Sequence, residues 1–347
     1  MQSDPAPNAR LQALPAAVTL IFTEPVSPAG VGIRVYSPSG RQVAGAAAVR
    51  ASVMSALLTS AEQGTFVVSW QVFAADTHPS RGAYSFDVGA PSANPYSALV
   101  NSGELGTASP SGLALQALAR WVHFAGFVLV FGVAGYAVLA RASAPTRTFG
   151  LGVGLLLAAE PLAVVAQLAS LSLDGDTAIA VLGSSFGRLV ALRLGAGLLA
   201  WTLIATNRTW PLVPIGAAVA LLDGLGAHAI PGWPAAGQIL VAVHVSAMGL
   251  WVGGLVAHVQ APQPGFAPFA AATFAFAAAS GATLAFAHTA APAALVGSEY
   301  GLVLLAKVAV AAVAVVMVAV RRRRLELAAA IALLGVAGLL AALPPSR

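Results

Sequence analysis

The chain has 347 residues, 58% of them hydrophobic and only 8% charged, with mean hydropathy +0.84; globular domains carry about 25% charged residues, so an ordinary soluble protein is excluded. Residues 1–112 hold five Arg against six Asp/Glu and the other 235 hold twelve Lys/Arg against six, so the formal excess of +5 lies in the apolar part and points to membrane loops, not to nucleic acid. Zero cysteine removes disulfides, zinc fingers, iron–sulfur clusters and thiolate copper sites, leaving His, carboxylate or Met for any metal.

The chain opens with short β-rich runs bounded by Pro, Gly or Ser: Ala17-Val18-Thr19-Leu20-Ile21-Phe22, Val31-Gly32-Ile33-Arg34-Val35-Tyr36, residues 65–73 and Ala83-Tyr84-Ser85-Phe86-Asp87-Val88. Phe66, Val68, Trp70 and Val72 alternate onto one face, as a half-buried strand requires. Residues 1–90 thus predict a small antiparallel β-sandwich, and 91–112, rich in Ser, Pro, Asn and Gly, a linker. Within the sandwich, Asp76-Thr77-His78 stands before Pro79. In an extended segment residues i and i+2 project to one side, so carboxylate and imidazole can converge on a Cu(II)-like ion; the same triplet is also read as a solvated loop.

Gly64-Thr65-Phe66-Val67-Val68-Ser69-Trp70-Gln71-Val72, Asp76-Thr77-His78-Pro79 and Gly82-Ala83-Tyr84-Ser85-Phe86 resemble the second half of the CopC family of periplasmic copper-binding β-sandwiches. Ser3-Asp4-Pro5-Ala6-Pro7 and Phe22-Thr23-Glu24-Pro25-Val26 are similar to that family's opening. The resemblance implies Cu(II) bound by the Asp and His of Asp-x-His, here Asp76 and His78, together with the amine and ring of a mature N-terminal histidine. The chain begins Met1-Gln2-Ser3-Asp4, a few residues beyond where that histidine would lie. The expectation is a start upstream of Met1, with a secretory leader, or a processed end.

Beyond residue 112, eight apolar stretches reach the roughly 20 residues needed to cross a bilayer as helices: 113–140, 149–171, 186–206, 211–230, 235–259, 265–289, 300–320 and 326–343. Arg141, Arg147, Arg208 and the arginines at 321–324 fall in loops of one parity, Asp174, Asp176 and Glu299 in loops of the other. Because Lys and Arg are retained on the cytoplasmic side, the predicted fold class is an eight-helix transmembrane bundle of a bacterial plasma membrane. Its N-terminal β-sandwich and C-terminus are extracytoplasmic and the arginine run is inside.

Ionisable groups within a lipid span are costly and face the bundle interior or a functional cavity. His123, His228, His244 and His288 all fall in the outer half of their spans and His258 near an inner end. His123 and His244 lie about 15 Å deep at 1.5 Å per residue. Imidazole suits copper and haem iron alike; the other reading is that each ring bonds a neighbouring helix and fixes packing. Asp223, Arg188, Arg193 and Lys307 share that outer half, where cations require pairing, for example with Asp223 or Glu299, or suit an anionic ligand such as haem propionates. Glu160 is read equally as a proton relay or as a protonated, hydrogen-bonded group. Gly249-x-x-x-Gly253 and Gly150-x-Gly152-x-Gly154 are read as close-packing faces.

Arg120-Trp121-Val122-His123-Phe124, Phe186-Gly187 with Arg193, Gly226-Ala227-His228-Ala229, His244 with Trp251-Val252-Gly253-Gly254-Leu255, and Tyr300-Gly301 with Leu304-Leu305-x-Lys307 resemble, in order, the CopD family of eight-span copper-resistance membrane proteins. With the sandwich, this implies a CopC–CopD fusion handling copper ions at the bilayer: Asp76 and His78 as capture ligands, and His123, His228 and His244 as membrane ligands. Two alternatives stand beside it. One is a haem-binding or electron-transfer protein with His123 and His244 as axial ligands; the other is a structural subunit partnered by other subunits of a membrane complex. No nucleophile–base–acid constellation or phosphate loop occurs, so no enzymatic activity is expected.

Overall fold

In the computed structural model, which describes residues 1–74, 79–101, 110–142, 146–227, 230, 233–289, 291–320 and 322–345, the β-rich start folds into two four-stranded sheets. One has the order β1 (Gln2–Asp4), β3 (Ala17–Ile21), β6 (Val53–Leu57), β5 (Ala48–Arg50); the other β2 (Arg10–Leu11), β8 (Pro79–Val88), β7 (Gly64–Ala74), β4 (Val26–Tyr36). The expected alternation on β7 is present: Phe66, Val68, Trp70 and Val72 are buried together with Val18, Leu20, Ile33, Val35 and Met54. Each such side chain contributes about 1.5–3 kcal/mol when removed from water. Phe66 stacks on Phe86 with ring centroids 5.4 Å apart.

The sandwich is not wholly antiparallel. The two-residue edge strand β2 runs parallel to β8, placing Arg10 opposite Asp87, because Asn8 and Ala9 bond the β8 backbone and carry the chain onto that edge in the β8 direction. β4 breaks register between Pro28 and Ile33. At Gly32, with φ +76°, a Cβ would lie 2.9 Å from that of Pro28, so the bulge requires glycine. After β8, the buried Asn94 amide donates to the Tyr36, Ser37 and Thr65 carbonyls at 3.2, 2.9 and 2.9 Å, closing the strand ends before α1 (Ser97–Asn101).

This compact unit comprises Met1–Gly112 and also Gln167–Gly187. The second segment contains a helix where the sequence showed only a break, α5 (Gly175–Gly183), started by Asp174, whose carboxylate accepts from the Thr177 backbone N–H at 2.8 Å. Hydrogen bonds from Ser172 and that N–H, with the Arg34 charge nearby, hold the Asp174 carboxyl below its usual value. Helix α5 packs on β4, with Thr177 Oγ1 3.0 Å from where a Gly30 Cβ would stand.

The second unit comprises Leu113–Ala166 and Arg188–Arg347. Among the described residues seven helical segments are long and apolar enough to cross a membrane: Pro110–Leu139, Arg147–Ser170, Ser185–Ala205, Pro234–Gln260, Phe266–His288, Glu299–Val318 and Arg323–Ala342. We label them by their helices α2 (Pro110–Phe127) and α3 (Val133–Leu139), α4 (Thr146–Ser170), α6 (Ser185–Ala205), α8 (Pro234–Gln260), α9 (Phe266–His288), α11 (Glu299–Ala319) and α12 (Arg323–Ala342). The expected span over 211–230 contains α7 (Leu212–Leu225), apolar but only 14 residues, or about 21 Å of helix. The short α10 (Ala294–Gly297) precedes α11.

Between α2 and α3 the helix widens to a π-turn at Val128–Gly132, which packs against α8. A Cβ on Gly132 would collide with the Gly249 carbonyl and one on Gly253 with the Gly132 backbone, so the Gly249/Gly253 pair is a close-packing face. The Gly150–Gly152–Gly154 expectation is corrected. Only Gly152 meets a neighbour, Leu129, because a spacing of two turns successive residues away from each other on a helix, and Gly150 and Gly154 face open space.

Candidate functional site

In the sandwich, Asp76 and His78 lie outside the described residues, between the end of β7 at Ala74 and the start of β8 at Pro79. Both flanks, Ala74 and Ser80, line a hollow of about 360 Å³ that also receives Met1, Thr23, Glu24 and Trp70. Glu24 and Met1 are the lining residues whose side chains carry a carboxylate and a thioether. A carboxylate is a hard donor and a thioether a soft one, so these two described groups by themselves select no particular metal. Elsewhere on the sandwich Arg41 Nη2 sits 2.6 Å from the Glu62 carboxylate, which also accepts from the Ser39 N–H at 3.0 Å. The guanidinium holds the Glu62 carboxyl down at about 2.

In the helical unit four helices bring together one buried charge cluster. His123 of α2 has Nδ1 3.1 Å from the Glu160 carboxylate of α4 and Nε2 3.2 Å from that of Asp223 of α7. Arg193 of α6 reaches Asp223 at 2.8 Å and donates to the Leu222 carbonyl at 3.3 Å. His123, Glu160 and Asp223 are 6%, 2% and 8% exposed. A neutral imidazole has one N–H, so bonding a carboxylate on each side takes one further proton, carried by the ring or by one of the two carboxyls. Arg193 thus pairs with Asp223, one of the two carboxylates expected to partner the outer-half cations. The pairings of His123 with residues 37 and 100 positions away have no signal in spacing.

His244 of α8 belongs elsewhere. Its Nδ1 faces the Ala277 carbonyl at 3.0 Å and Ser280 Oγ at 3.1 Å on α9. A carbonyl only accepts, so Nδ1 carries the proton and Nε2 presents its lone pair to Lys307 Nζ of α11, 3.4 Å away. Gly281 gives the ring room: a Cβ there would be 2.9 Å from His244 Cε1. His244 and Lys307 line a mostly apolar cavity of about 170 Å³ with Arg120, Met248, His288 and Tyr300, and His123 is absent from that lining. The two histidines expected at one level therefore serve separate sets of partners, and His228 lies outside the described residues. Among the described residues no three His, Asp or Glu side chains form a metal-binding group.

A haem carried between His123 and His244 does not fit. Both His123 nitrogens are occupied by carboxylates, His244 uses one for Ala277 and the other for Lys307, and among the described residues His123 is absent from the lining of the cavity that His244 borders. His258 also has a structural role, stacking on Phe266 at 4.1 Å and accepting from the Gln263 N–H at 3.1 Å. Glu326, which the sequence reading passed over, is 1% exposed and paired with Arg323 at 2.7 Å. Only its position three residues after an arginine signalled this.

Two four-stranded sheets enclosing an aromatic core, followed by apolar helices long enough to span a bilayer, define a β-sandwich protein with a candidate membrane region. Residues 1–89 match the CopC domain, and the chain belongs to the CopC family. It is 33% identical over 89 residues to Protein YobA of Escherichia coli (strain K12) and equally to that of Shigella flexneri, covering 24% of this chain and 72% of each relative. Solved structures similar to it include CopC from Methylosinus trichosporium OB3b, with 25% identity, TM-score 0.25, and coverage of 26% of this chain and 91% of that one. PcoC, a methionine-rich copper resistance protein from Escherichia coli, matches with 25% identity and TM-score 0.23 over 25% of this chain and 94% of that one.

Proposed function

We propose that this chain is a copper-handling protein of a bacterial plasma membrane, whose sandwich captures Cu(II) outside the cytoplasm through Asp76 and His78. The observation that carries the reading is the shared hollow. Both flanks of the Asp76–His78 segment, Glu24 and the chain's Met1 end converge there, in a domain of the CopC family. The helical unit is read as CopD-like, with α7 as its eighth span and the arginines at 321–324 on the cytoplasmic side. Transfer of copper into that unit belongs to this reading, with His228 as the candidate receiving ligand; His123 and His244 would each have to give up present partners to coordinate it. No catalytic role is assigned.

The test is Cu(II) titration and metal analysis of the full chain, extended upstream of Met1 by a histidine, beside Asp76→Ala and His78→Ala. One equivalent of Cu(II) lost in both variants is expected. Undiminished binding in the double variant removes the capture role.

A further inference from the structure

Glu326 has one carboxylate oxygen that the fold leaves unused. Its Oε2 accepts from Arg323 Nη1 at 2.7 Å, whereas Oε1 is buried without a hydrogen-bond partner among the described residues. A buried acceptor left unpaired is costly, and this one borders a cleft of about 200 Å³. Trp251 of α8, Phe266 and Phe274 of α9, Val315 and Val318 of α11 and Arg323 of α12 wall the cleft. Helix α9 packs on α8 and α11 on α12, and the space lies between these two pairs, where α9 presents only the small side chains of Ala267, Ala270 and Ala271 beside its two rings.

The wall chemistry narrows the donor that suits Oε1. Trp251 and Phe274 meet edge to face at 5.1 Å, and Arg323 already stands over Phe266 at 5.5 Å; aromatic rings attract cations, and a cationic N–H bonds a carboxylate more strongly than a neutral one. Arg323 and Glu326 balance each other in charge, so a zwitterion keeps the site neutral where a bare cation would not. Arg323 is partly exposed and gives Glu326 only Nη1, leaving donors for an anion. The cleft lies at one end of three candidate spans, by the start of α9, the end of α11 and the first turn of α12, and Ala267, Ala271, Val315 and Val318 on its rim are exposed. In a bilayer that rim faces lipid at head-group depth. We propose that the cleft binds a phospholipid with a primary-ammonium head: the ammonium donates to Glu326 Oε1, the phosphate meets Arg323 at the mouth, and the acyl chains stay outside along α9 and α11. Only the three heavy atoms of a 2-aminoethyl arm enter, and the ~150 Å³ engineered cavity that holds benzene is smaller than this cleft. The inference rests on the helices lying in a bilayer and not on copper.

Native mass spectrometry of the full chain in a neutral detergent, with equimolar phosphatidylethanolamine, phosphatidylcholine and phosphatidylglycerol of identical acyl chains, tests this. Phosphatidylcholine keeps the zwitterion but has no ammonium N–H, and phosphatidylglycerol has no cation. One phosphatidylethanolamine per chain is expected, at about tenfold or higher occupancy than either competitor. Glu326→Gln is expected to erase that preference. Ala271→Trp fills the cleft from its exposed rim without touching Glu326 and is expected to abolish retention, which keeps the test informative if Glu326→Gln fails to fold. Equal retention of the three lipids, as when water alone serves Oε1, an undiminished preference in Glu326→Gln, or wild-type retention by Ala271→Trp would overturn the proposal, as would displacement by equimolar 2-aminoethyl phosphate, which would make the ligand a soluble amine. Those outcomes leave the bilayer reading standing; a chain that stays dispersed without detergent would overturn both.

Discussion

Asp223→Asn keeps the shape of the residue and removes the charge that both Arg193 and His123 address. At 2.8 Å from Arg193 Nη2, two unit charges attract by about 6 kcal/mol at an effective dielectric of 20. That is a ceiling, because both groups were desolvated to meet. Removing one partner of a buried pair costs about 3–5 kcal/mol, since the other charge stays buried without compensation. With Asp223 only 8% exposed, a loss of about 3–4 kcal/mol is expected for Asp223→Asn and a similar loss for Arg193→Leu. The double variant leaves no orphaned charge and is expected to recover about 2–3 kcal/mol of the summed losses. Unfolding of the full chain in mixed micelles, titrated with a denaturing detergent, gives the four corners of the cycle. A coupling below about 0.5 kcal/mol, or an Asp223→Asn loss below about 1 kcal/mol, would show that the cluster is an arrangement of convenience and that the helices are held by packing alone.

Glu62 titrates at about 2 in the folded chain against 4.5 unperturbed. Its contribution is fully present above pH 4.5 and is lost as the pH falls towards 2. A carboxyl-carbon NMR titration, assigned by difference with Glu62→Gln, should find a midpoint near 2 that returns towards 4.5 in Arg41→Ala; a midpoint unmoved by that substitution refutes the pairing. Gly132→Val places a side chain against the Gly249 carbonyl and is expected to cost at least about 1–3 kcal/mol through overpacking. Gly150→Val, which meets open space, serves as its control; equal thermal stability of the two variants would contradict the close approach of α8.

The sandwich was legible because alternation is local: Phe66, Val68, Trp70 and Val72 announce one buried face by their spacing, and all four are in the core. Seven of the eight expected spans were legible for the same reason, apolar runs being countable along the chain. The site in the helical unit was legible in its residue types only. Histidines at equal depth on separate helices are still free to point at different neighbours, and helix rotation and crossing assign His123 to carboxylates and His244 to Lys307. The edge strand β2 and the helix α5 were missed because two residues carry no period, and because a capping aspartate before glycine reads equally as a break.

Since Gln167–Gly187 completes the same folded unit as Met1–Gly112, that unit is assembled from two stretches of chain separated by more than fifty residues. A chimera that exchanged only the amino-terminal stretch for a relative's would leave α5 facing a foreign β4, and a truncation keeping that stretch alone would lay bare the surface around Gly30. Donor and recipient must therefore trade both stretches together, and protein synthesis must deliver the second before the first can finish folding.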